Sequence, residues 1–372
     1  MAEWRDESLG SLVSLEYGSA LRAESRIGNS FRVYGSNGVV GHHNRALVAG
    51  PGIIIGRKGS VGALRWSDGD FWPIDTTYWV NPKIDLDLRW MLEALKLSGL
   101  ESLDSSTGVP GLNRGDAYER TVSVPPLEEQ RRIAEILDTI GETIQATERV
   151  IAKLRRAHAA LQQQVVPRWT NDGVDEALLG ALIDPKRPIV YGILMPGEHV
   201  RGGVPVIKVR DIRDGEIASK QSLLHTDPLI DQQYARSRVR QGDILFTIRG
   251  TVGRTAIVPE SHDGANITQD TARVSAIGVN CSYLVAAMAT ERFARFVGVH
   301  TIGQAVKGIN LRELRLAPVP LVGRDEQEIA GAALDGSIAS ISAECERLEK
   351  LRLLRIGLAD DLLSGRVRTV AT

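Results

Sequence analysis

One stretch limits the folds open to this chain more than any other. It is Pro126 to Val166, PLEEQRRIAEILDTIGETIQATERVIAKLRRAHAALQQQVV. Ile133, Leu137, Ile140, Ile144, Thr147, Ile151, Leu154, His158, Leu161 and Val165 follow one another at steps that alternate four and three. That spacing is the seam of a coiled-coil helix, not the wider stripe of a globular one. Pro126 suits the first turn, Glu128 and Glu129 suit the positive end of the helix dipole, and Pro167 stops the run. A narrow seam cannot bury itself, so a second helix is required. Asp325 to Gly365 supplies it, with Leu334, Ile338, Ile341, Cys345, Leu348, Leu351 or Arg352, Leu354 or Arg355, and Leu358 at looser versions of the same spacing. Asp325 with Glu328 predicts a capping box there, and Gly365 predicts the stop. The two helices echo each other: Glu129-Gln130 and Glu326-Gln327, Leu137-Asp138 and Leu334-Asp335, and Lys153-Leu154-Arg155 and Lys350-Leu351-Arg352 all lie 197 residues apart (326 − 129). Such a period marks an internal repeat.

The 372 residues allow two or three domains, and 43% hydrophobic with 24% charged residues is ordinary for a globular protein. No run approaches eighteen apolar residues, and Met1-Ala2-Glu3-Trp4-Arg5 has no signal-peptide character, so a cytoplasmic protein with no membrane partner is expected. Cys281 and Cys345 are too distant in sequence to suggest a disulfide framework or a metal site. The net charge of −1 conceals an uneven distribution. Lys186 to Arg254 holds twelve Lys/Arg against seven Asp/Glu, while Asp325 to Ser364 holds four against nine. Positive charge in a mixed domain and negative charge on a helix suit a polyanion binder whose helices do other work.

In chain order, residues 1–125 read as a first mixed domain in which FRVYG, ALVAG, GIIIGRKGSVGAL and DTTYWV are strand candidates. Leu86 to Leu97 reads as a short helix and Asp104 to Gly108 as a loop. The first long helix occupies 126–170. A second mixed domain, 171–321, begins with a connecting loop from Gly173 to Gly203 and returns to strands at PVIKVRDI, GDILFTIRG, TAIVP and DTARVSAI. Tyr283 to Val297 reads as a helix, and 322–372 forms the second long helix.

The repeat extends into these domains. Lys58-Gly59-Ser60-Val61-Gly62 matches Arg249-Gly250-Thr251-Val252-Gly253 at a separation of 191 (249 − 58), Asp75-Thr76 matches Asp270-Thr271, and Gly111-Leu112-Asn113 matches Gly308-Ile309-Asn310. One domain-plus-helix unit is therefore written twice. With the Pro-Pro-Leu-Glu-Glu-Gln start at Pro125 to Gln130, its echo at Glu326-Gln327 and the tail Leu362-Leu363-Ser364-Gly365-Arg366, the chain resembles the specificity (S) subunit of type I restriction-modification systems. The resemblance covers nearly the whole chain. One departure is the insertion of Val322-Gly323-Arg324 before Asp325 at the second helix start. The resemblance implies an α+β protein with two target-recognition domains, each followed by a long helix, the helices pairing as an antiparallel coiled coil. It further implies methyltransferase (M) subunits, two in number, docking along the helices and bringing S-adenosylmethionine, with restriction (R) subunits joining through the complex.

Catalytic motifs are missing. Gly35-Ser36-Asn37-Gly38 and Gly50-Pro51-Gly52 read as turns, since neither precedes a helix and no GxxxxGK[ST] occurs. His42-His43 reads as part of a polar loop because no second ligand cluster lies at a metal-site spacing. No Asn/Asp-Pro-Pro-Tyr/Phe segment and no nuclease carboxylate cluster is evident, so no catalysis, metal or directly bound cofactor is expected.

Contact with double-stranded DNA falls to the RKGSVG and RGTVG loops, through Arg57, Lys58, Ser60, Arg249, Thr251 and Arg254. Cations neutralise phosphates, hydroxyls add hydrogen bonds, and glycines admit a close backbone. The same glycines also suit plain hairpins that support the domain. Base reading falls to Asn37, His42, His43 and Asn44 in the first copy and to Lys208, Arg210 and Arg213 in the second, since Arg forks onto guanine and Asn onto adenine. Arg236, Arg238 and Arg240 alternate as one face of a strand, toward DNA or solvent.

The expectation is a DNA sequence-recognition subunit with one domain per half-site and the helix pair as a ruler. The seam from Ile133 to Val165 would span about 48 Å at roughly 1.5 Å per residue, beside a DNA turn of about 34 Å. The alternatives are a coiled-coil adaptor whose Gly-rich domains bind protein, or a DNA-modifying enzyme with an unrecognised site.

Overall fold

The computed structural model describes residues 3–103, 111–166, 175–303 and 306–369. The expected loop at Asp104 to Gly108, the stop at Pro167 and the domain boundary at 170 and 171 lie outside these residues. The chain folds as two compact units, Met1–Glu148 with Glu346–Thr372, and Arg149–Cys345.

Among its described residues the first unit holds nine strands: β1 (Arg5–Ser8), β2 (Val13–Tyr17), β3 (Phe31–Gly35), β4 (Gly38–His43), β5 (Gly52–Gly56), β6 (Leu64–Ser67), β7 (Phe71–Pro73), β8 (Thr77–Pro82) and β9 (Thr121–Val124). They form a four-stranded sheet in the order β2-β8-β5-β6, a three-stranded sheet β4-β3-β7 and an antiparallel pair β1-β9. β5, the apolar run Gly-Ile-Ile-Ile-Gly, is buried along its whole length, as a central strand covered on both faces must be. Its Ile53 and Ile55 join Leu15, Tyr78, Trp90 and Met91 in the main core, and Ile133 and Leu137 of the first long helix pack there with Ala359 and Leu362 of the second.

The second unit repeats this plan. Its strands are β10 (Asp175–Leu178), β11 (Val190–Tyr191), β12 (Val204–Ile207), β13 (Ile212–Arg213), β14 (Glu216–Ile217), β15 (Leu224–Thr226), β16 (Ile244–Thr247), β17 (Thr255–Ile257), β18 (Asn266–Ile267), β19 (Thr271–Val274), β20 (Thr301–Ile302), β21 (Gly308–Ile309) and β22 (Pro318–Leu321). The sheets β11-β19-β16-β17 and β15-β12-β18 and the pair β10-β22 reproduce the first unit strand for strand, including the parallel contact of β12 with β18 that answers β3 with β7.

The echo Glu-Gln has a structural cause. Gln130 is almost fully buried; its Oε1 accepts from the Asp87 amide at 2.9 Å, and its Nε2 donates to the Pro125 carbonyl at 2.9 Å. Gln327 makes the matching bonds, accepting from Asn280 at 3.1 Å and donating to Val322 at 2.9 Å. Asp87 and Asn280 are themselves the N-caps of helices Leu88–Leu97 and Cys281–Met288. One primary amide thus ties the start of each long helix to the capped end of a domain helix, which only an amide with both a donor and an acceptor can do.

The long helices run Leu127–Val165 and Arg324–Leu363, one residue from the expected bounds at each start. The seam of the first is buried or half-buried at every expected position, including Ile133, Leu137, Ile140, Ile144, Ile151, Leu154 and Leu161. Thr147 fits the seam because its hydroxyl donates to the Thr143 carbonyl at 2.9 Å. His158 sits there half-buried, and burial lowers its pKa. In the second helix Leu334, Ile338, Ile341, Leu348 and Leu358 occupy the seam as expected. At the two ambiguous positions the seam takes Leu351 and Arg355, and Arg355 turns its Nη2 onto the buried Glu93 carboxylate at 2.9 Å. In the first unit Arg352 meets Glu148 at 2.8 Å, so the start of one helix lies beside the end of the other and the two run antiparallel. The second unit shows the converse, with Leu161 and Val165 against Ala330 and Leu334.

Several local expectations are corrected. ALVAG is no strand; only Val48 pairs, with Phe71. The segment expected to be a loop up to Gly203 contains β10, β11 and a 3-10 turn at Leu179–Leu182. The helix expected from Tyr283 to Val297 is two, Cys281–Met288 and Glu291–Val299, because the Thr290 hydroxyl caps a new start by accepting from Phe293. The second long helix begins before Asp325, so Asp325 lies in its first turn, and Glu328 binds Arg324 and Asn280 in place of a capping box. Finally, the loop matched by Asp270-Thr271 is held in the first unit by Thr76 and not by Asp75. The amides of Arg57 and Lys58 donate to Thr76, as those of Ile248 and Arg249 donate to Asp270.

Candidate nucleic-acid interface

The two repeated loops sit in the same frame in both units. In the first, Lys58 bridges to Gly111, and Leu112 donates to the Arg57 carbonyl at 2.9 Å. In the second, Arg249 bridges to Gly308, and Ile309 donates to the Ile248 carbonyl at 2.9 Å. The Asn that follows each Gly-Leu/Ile pair, Asn113 or Asn310, then caps a short helix. The glycines are structurally required, because Gly59, Gly62, Gly250 and Gly253 all have positive φ between 71 and 98°. Loop support and an outward display of side chains therefore coexist.

The outward side chains differ in freedom. Lys58 is exposed and Ser60 half-buried. Arg57 is held in place, its Nε and Nη2 donating to the Asp75 carbonyl at 3.1 and 2.7 Å. Arg249 stands 3.9 Å from Asp270, and Thr251 is exposed. Arg254 turns inward, donating from Nη1 to the Ile212 carbonyl of β13 at 3.0 Å.

The expected base readers separate into two settings. Asn37 is in the two-residue turn joining β3 to β4, where Gly38 has φ +118°. His42 and His43 lie on β4 and not in a loop, because the strand resumes pairing after a register shift between Val33 and Tyr34, with Arg32 opposite His42 and Phe31 opposite His43. His42 is exposed, whereas His43 packs edge-on against Trp72 at 5.4 Å and accepts from the Ile27 amide at 3.4 Å. Asn44 follows in an exposed bend. In the second unit the strands corresponding to β3 and β4 are β12 and β15, and in place of a two-residue turn residues 208–223 separate them. Lys208, Arg210 and Arg213 all lie in this insertion. Arg210 is exposed and 3.7 Å from Asp211, and Arg213 donates to the Arg210 carbonyl at 3.2 Å. The side of the insertion at Asp214 and Glu216 is fastened to the long helices, through Arg155 at 3.6 Å and Ser342 at 2.9 Å.

Arg236, Arg238 and Arg240 are not on a strand. Residues 235–237 form a 3-10 turn, and Arg238 pairs with the buried Asp231. The acid recruits the arginine, which alternation alone cannot reveal. Among the described residues no cluster of three metal-ligating side chains occurs. An open cleft of about 470 Å³ in the first unit is lined by Trp66, Asp68, Asp85, Asp87, Arg89 and Arg131; its three carboxylates disfavour a polyanion.

The sequence reading passed over Tyr17, Arg32 and Arg114. Arg32 is exposed beside His42. Tyr17 ends β2, is half exposed and packs against Tyr78 at 5.1 Å. Burial and the neighbouring Tyr17 hydroxyl push the pKa of Tyr78 up to about 12. A signal did exist, since Tyr17-Gly18 recurs as Tyr191-Gly192, but at a separation of 174 that escapes a search for a period near 191–197.

Residues 1–156 match the family model described as the type I restriction modification DNA specificity domain. Similar proteins include the specificity subunit of the type I restriction enzyme EcoBI of Escherichia coli, 31% identical over 258 residues, which cover 62% of this chain and 54% of that one. The specificity subunit of the MjaVIII type I enzyme of Methanocaldococcus jannaschii is 23% identical over 305 residues, covering 76% and 70%. The match spans about half the length of the first of these relatives. Among solved structures, the S subunit of a type I restriction-modification system from M. genitalium shares the fold over 97% of this chain and 96% of its own, with a TM-score of 0.68 at 16% identity. The resemblance to type I specificity subunits drawn from the sequence is borne out.

Proposed function

We propose that this chain, similar in sequence and fold to type I specificity subunits, is the non-catalytic DNA-recognition subunit of a type I restriction-modification complex. Each unit reads one half of a bipartite duplex target. The observation that carries this reading is the duplicated frame with unlike tips: strand order, glutamine anchor and loop support recur, while a two-residue turn in one unit faces a sixteen-residue segment, 208–223, in the other. A shared scaffold with different exposed polar tips suits two readers of different sequences. The domain limits expected from the sequence, 1–125 and 171–321, are the natural limits of these readers. Methyltransferase subunits, two of them, dock on apolar side chains that the second long helix leaves exposed, among them Ile329, Leu353 and Ile356. They bring S-adenosylmethionine, and restriction subunits join through them, in the cytoplasm. No helix among the described residues is long and apolar enough to cross a membrane.

Replacing Ala2 to Val124 with the matching domain of a relative and mapping methylated sites with the methyltransferase partner tests this. One half of the recognised sequence changes and the other stays. A change in both halves, or duplex binding that vanishes in favour of a protein ligand, overturns the reading. Incubation of the chain alone with labelled S-adenosylmethionine and target DNA transfers no methyl group.

A further inference from the structure

Tyr17, exposed, and Arg57 and Arg114, both half-buried, form a corner at the edge of the first unit. The Tyr17 ring has the Arg57 guanidinium 5.2 Å from its centroid and that of Arg114 at 5.1 Å. Both cations are held by neutral carbonyls, Arg57 by Asp75 and Arg114 by Leu15 at 3.3 Å, and neither has a carboxylate within ion-pair distance among the described residues. This sets them apart from Arg187, Arg355 and Arg368, which are spent on Asp243, Glu93 and Glu129. The neighbouring Tyr78 stays neutral through the physiological range and does not offset them. Two fixed, unneutralised guanidiniums around an exposed phenol, with Lys58 next in sequence, suit an anion with several oxygens, such as a phosphate.

The second unit keeps only part of this arrangement. Tyr191 ends β11 as Tyr17 ends β2, is exposed to a similar extent, and lies in the sheet whose β16 leads into Arg249. Its strand partner is Ala272 where Tyr17 has Tyr78, and Arg249 is partly offset by Asp270. Ile248 and Leu311 stand where the first unit has Arg57 and Arg114, so of the corner only the tyrosine recurs and the site belongs to the first unit. The Nε and Nη2 of Arg57, the edge that would fork onto a guanine, already donate to the Asp75 carbonyl, so the corner offers single charged contacts, which suit the sugar-phosphate backbone.

We infer that Tyr17, Arg57 and Arg114 grip the DNA backbone without reading bases. The inference rests on the DNA-reading function proposed above. Its test is the affinity of the full chain for a cognate and a scrambled duplex, measured by fluorescence anisotropy across a salt series. Arg114→Gln, which spares the held Arg57, weakens binding about tenfold on both duplexes, as the loss of one charge-assisted bond does, and lowers the slope of log affinity against log salt by about one. Tyr17→Phe keeps the packed ring and removes the hydroxyl, so a smaller loss of about two- to fivefold follows with unchanged thermal unfolding. An unaltered affinity and slope in Arg114→Gln overturns the grip, and so does a loss confined to the cognate duplex, which would make the corner a base reader. Wild-type chain that shows no salt-dependent duplex binding overturns the DNA-reading function itself and the grip with it.

Discussion

Replacing Gln130 by Leu removes an amide that serves one buried and one half-buried backbone group and leaves a side chain of similar size. The Asp87 amide and the Pro125 carbonyl lose partners at 2.9 Å each. An unsatisfied buried group costs about 1–3 kcal/mol. Pro125 is buried, so its carbonyl bears most of that cost, while Asp87 is half-buried and water repairs part of its loss. The sum expected is about 2–3 kcal/mol, or roughly a 30- to 150-fold shift in the local opening equilibrium. Hydrogen exchange reads it directly. Exchange at the Asp87 amide and in the first turn of helix Leu88–Leu97 speeds up by that factor, while the Asn280 amide, held by Gln327, is unaffected. Gln327→Leu gives the reciprocal pattern at Asn280. If either variant exchanges faster at both caps, or at neither, the two glutamines are not independent anchors and the duplicated frame has been misread.

Four further outcomes are expected. Glu129 is fully buried; burial raises its pKa, but Arg368, Trp4 and the Thr369 amide outweigh this and hold it below its ordinary value of 4.5. Because the folded-state pKa is depressed, this stabilisation is present above the ordinary pKa and lost as pH falls through the folded value. Arg368→Ala therefore lowers stability near pH 7, and the difference from wild type shrinks in melts at low pH. A difference constant from pH 7 to 3 would count against the clamp. Gly62→Ala places a Cβ 2.5 Å from the Glu101 amide nitrogen at φ +71° and costs about 3 kcal/mol or more, while its twin Gly253→Ala, at φ +98° with open space around it, costs about 1 kcal/mol in denaturant titrations. Leu353→Glu with Ile356→Glu abolishes co-purification with methyltransferase subunits and leaves the melting temperature of the chain alone unchanged, since both side chains are exposed.

The sequence by itself determined what depends on neighbours along the chain. The three-four spacing from Ile133 to Val165 placed the first long helix within one residue, and the paired motifs established the duplication, because periodicity and local repeats are written in one dimension. The resemblance they carried, to type I specificity subunits, is one that the family model and the relatives also show. Tertiary structure decided whatever depends on partners distant in sequence. His42 and His43 are strand residues because β3 pairs with them, and the helix expected from Tyr283 to Val297 is two because the Thr290 hydroxyl caps a second start. Arg238 is claimed by Asp231, and Arg254 by a carbonyl forty-two residues away. Gln130 looked like one letter of a motif, and only the fold shows that its amide spans two backbone groups. Tyr17 and Arg114 stand 97 residues apart in sequence (114 − 17) and meet only because β2 and the short helix Arg114–Tyr118 pack in one unit. Side-chain alternation and composition report which residues face water. Which of those faces carries an unneutralised charge is settled by where every acid and carbonyl comes to rest, and that is a property of the folded chain alone.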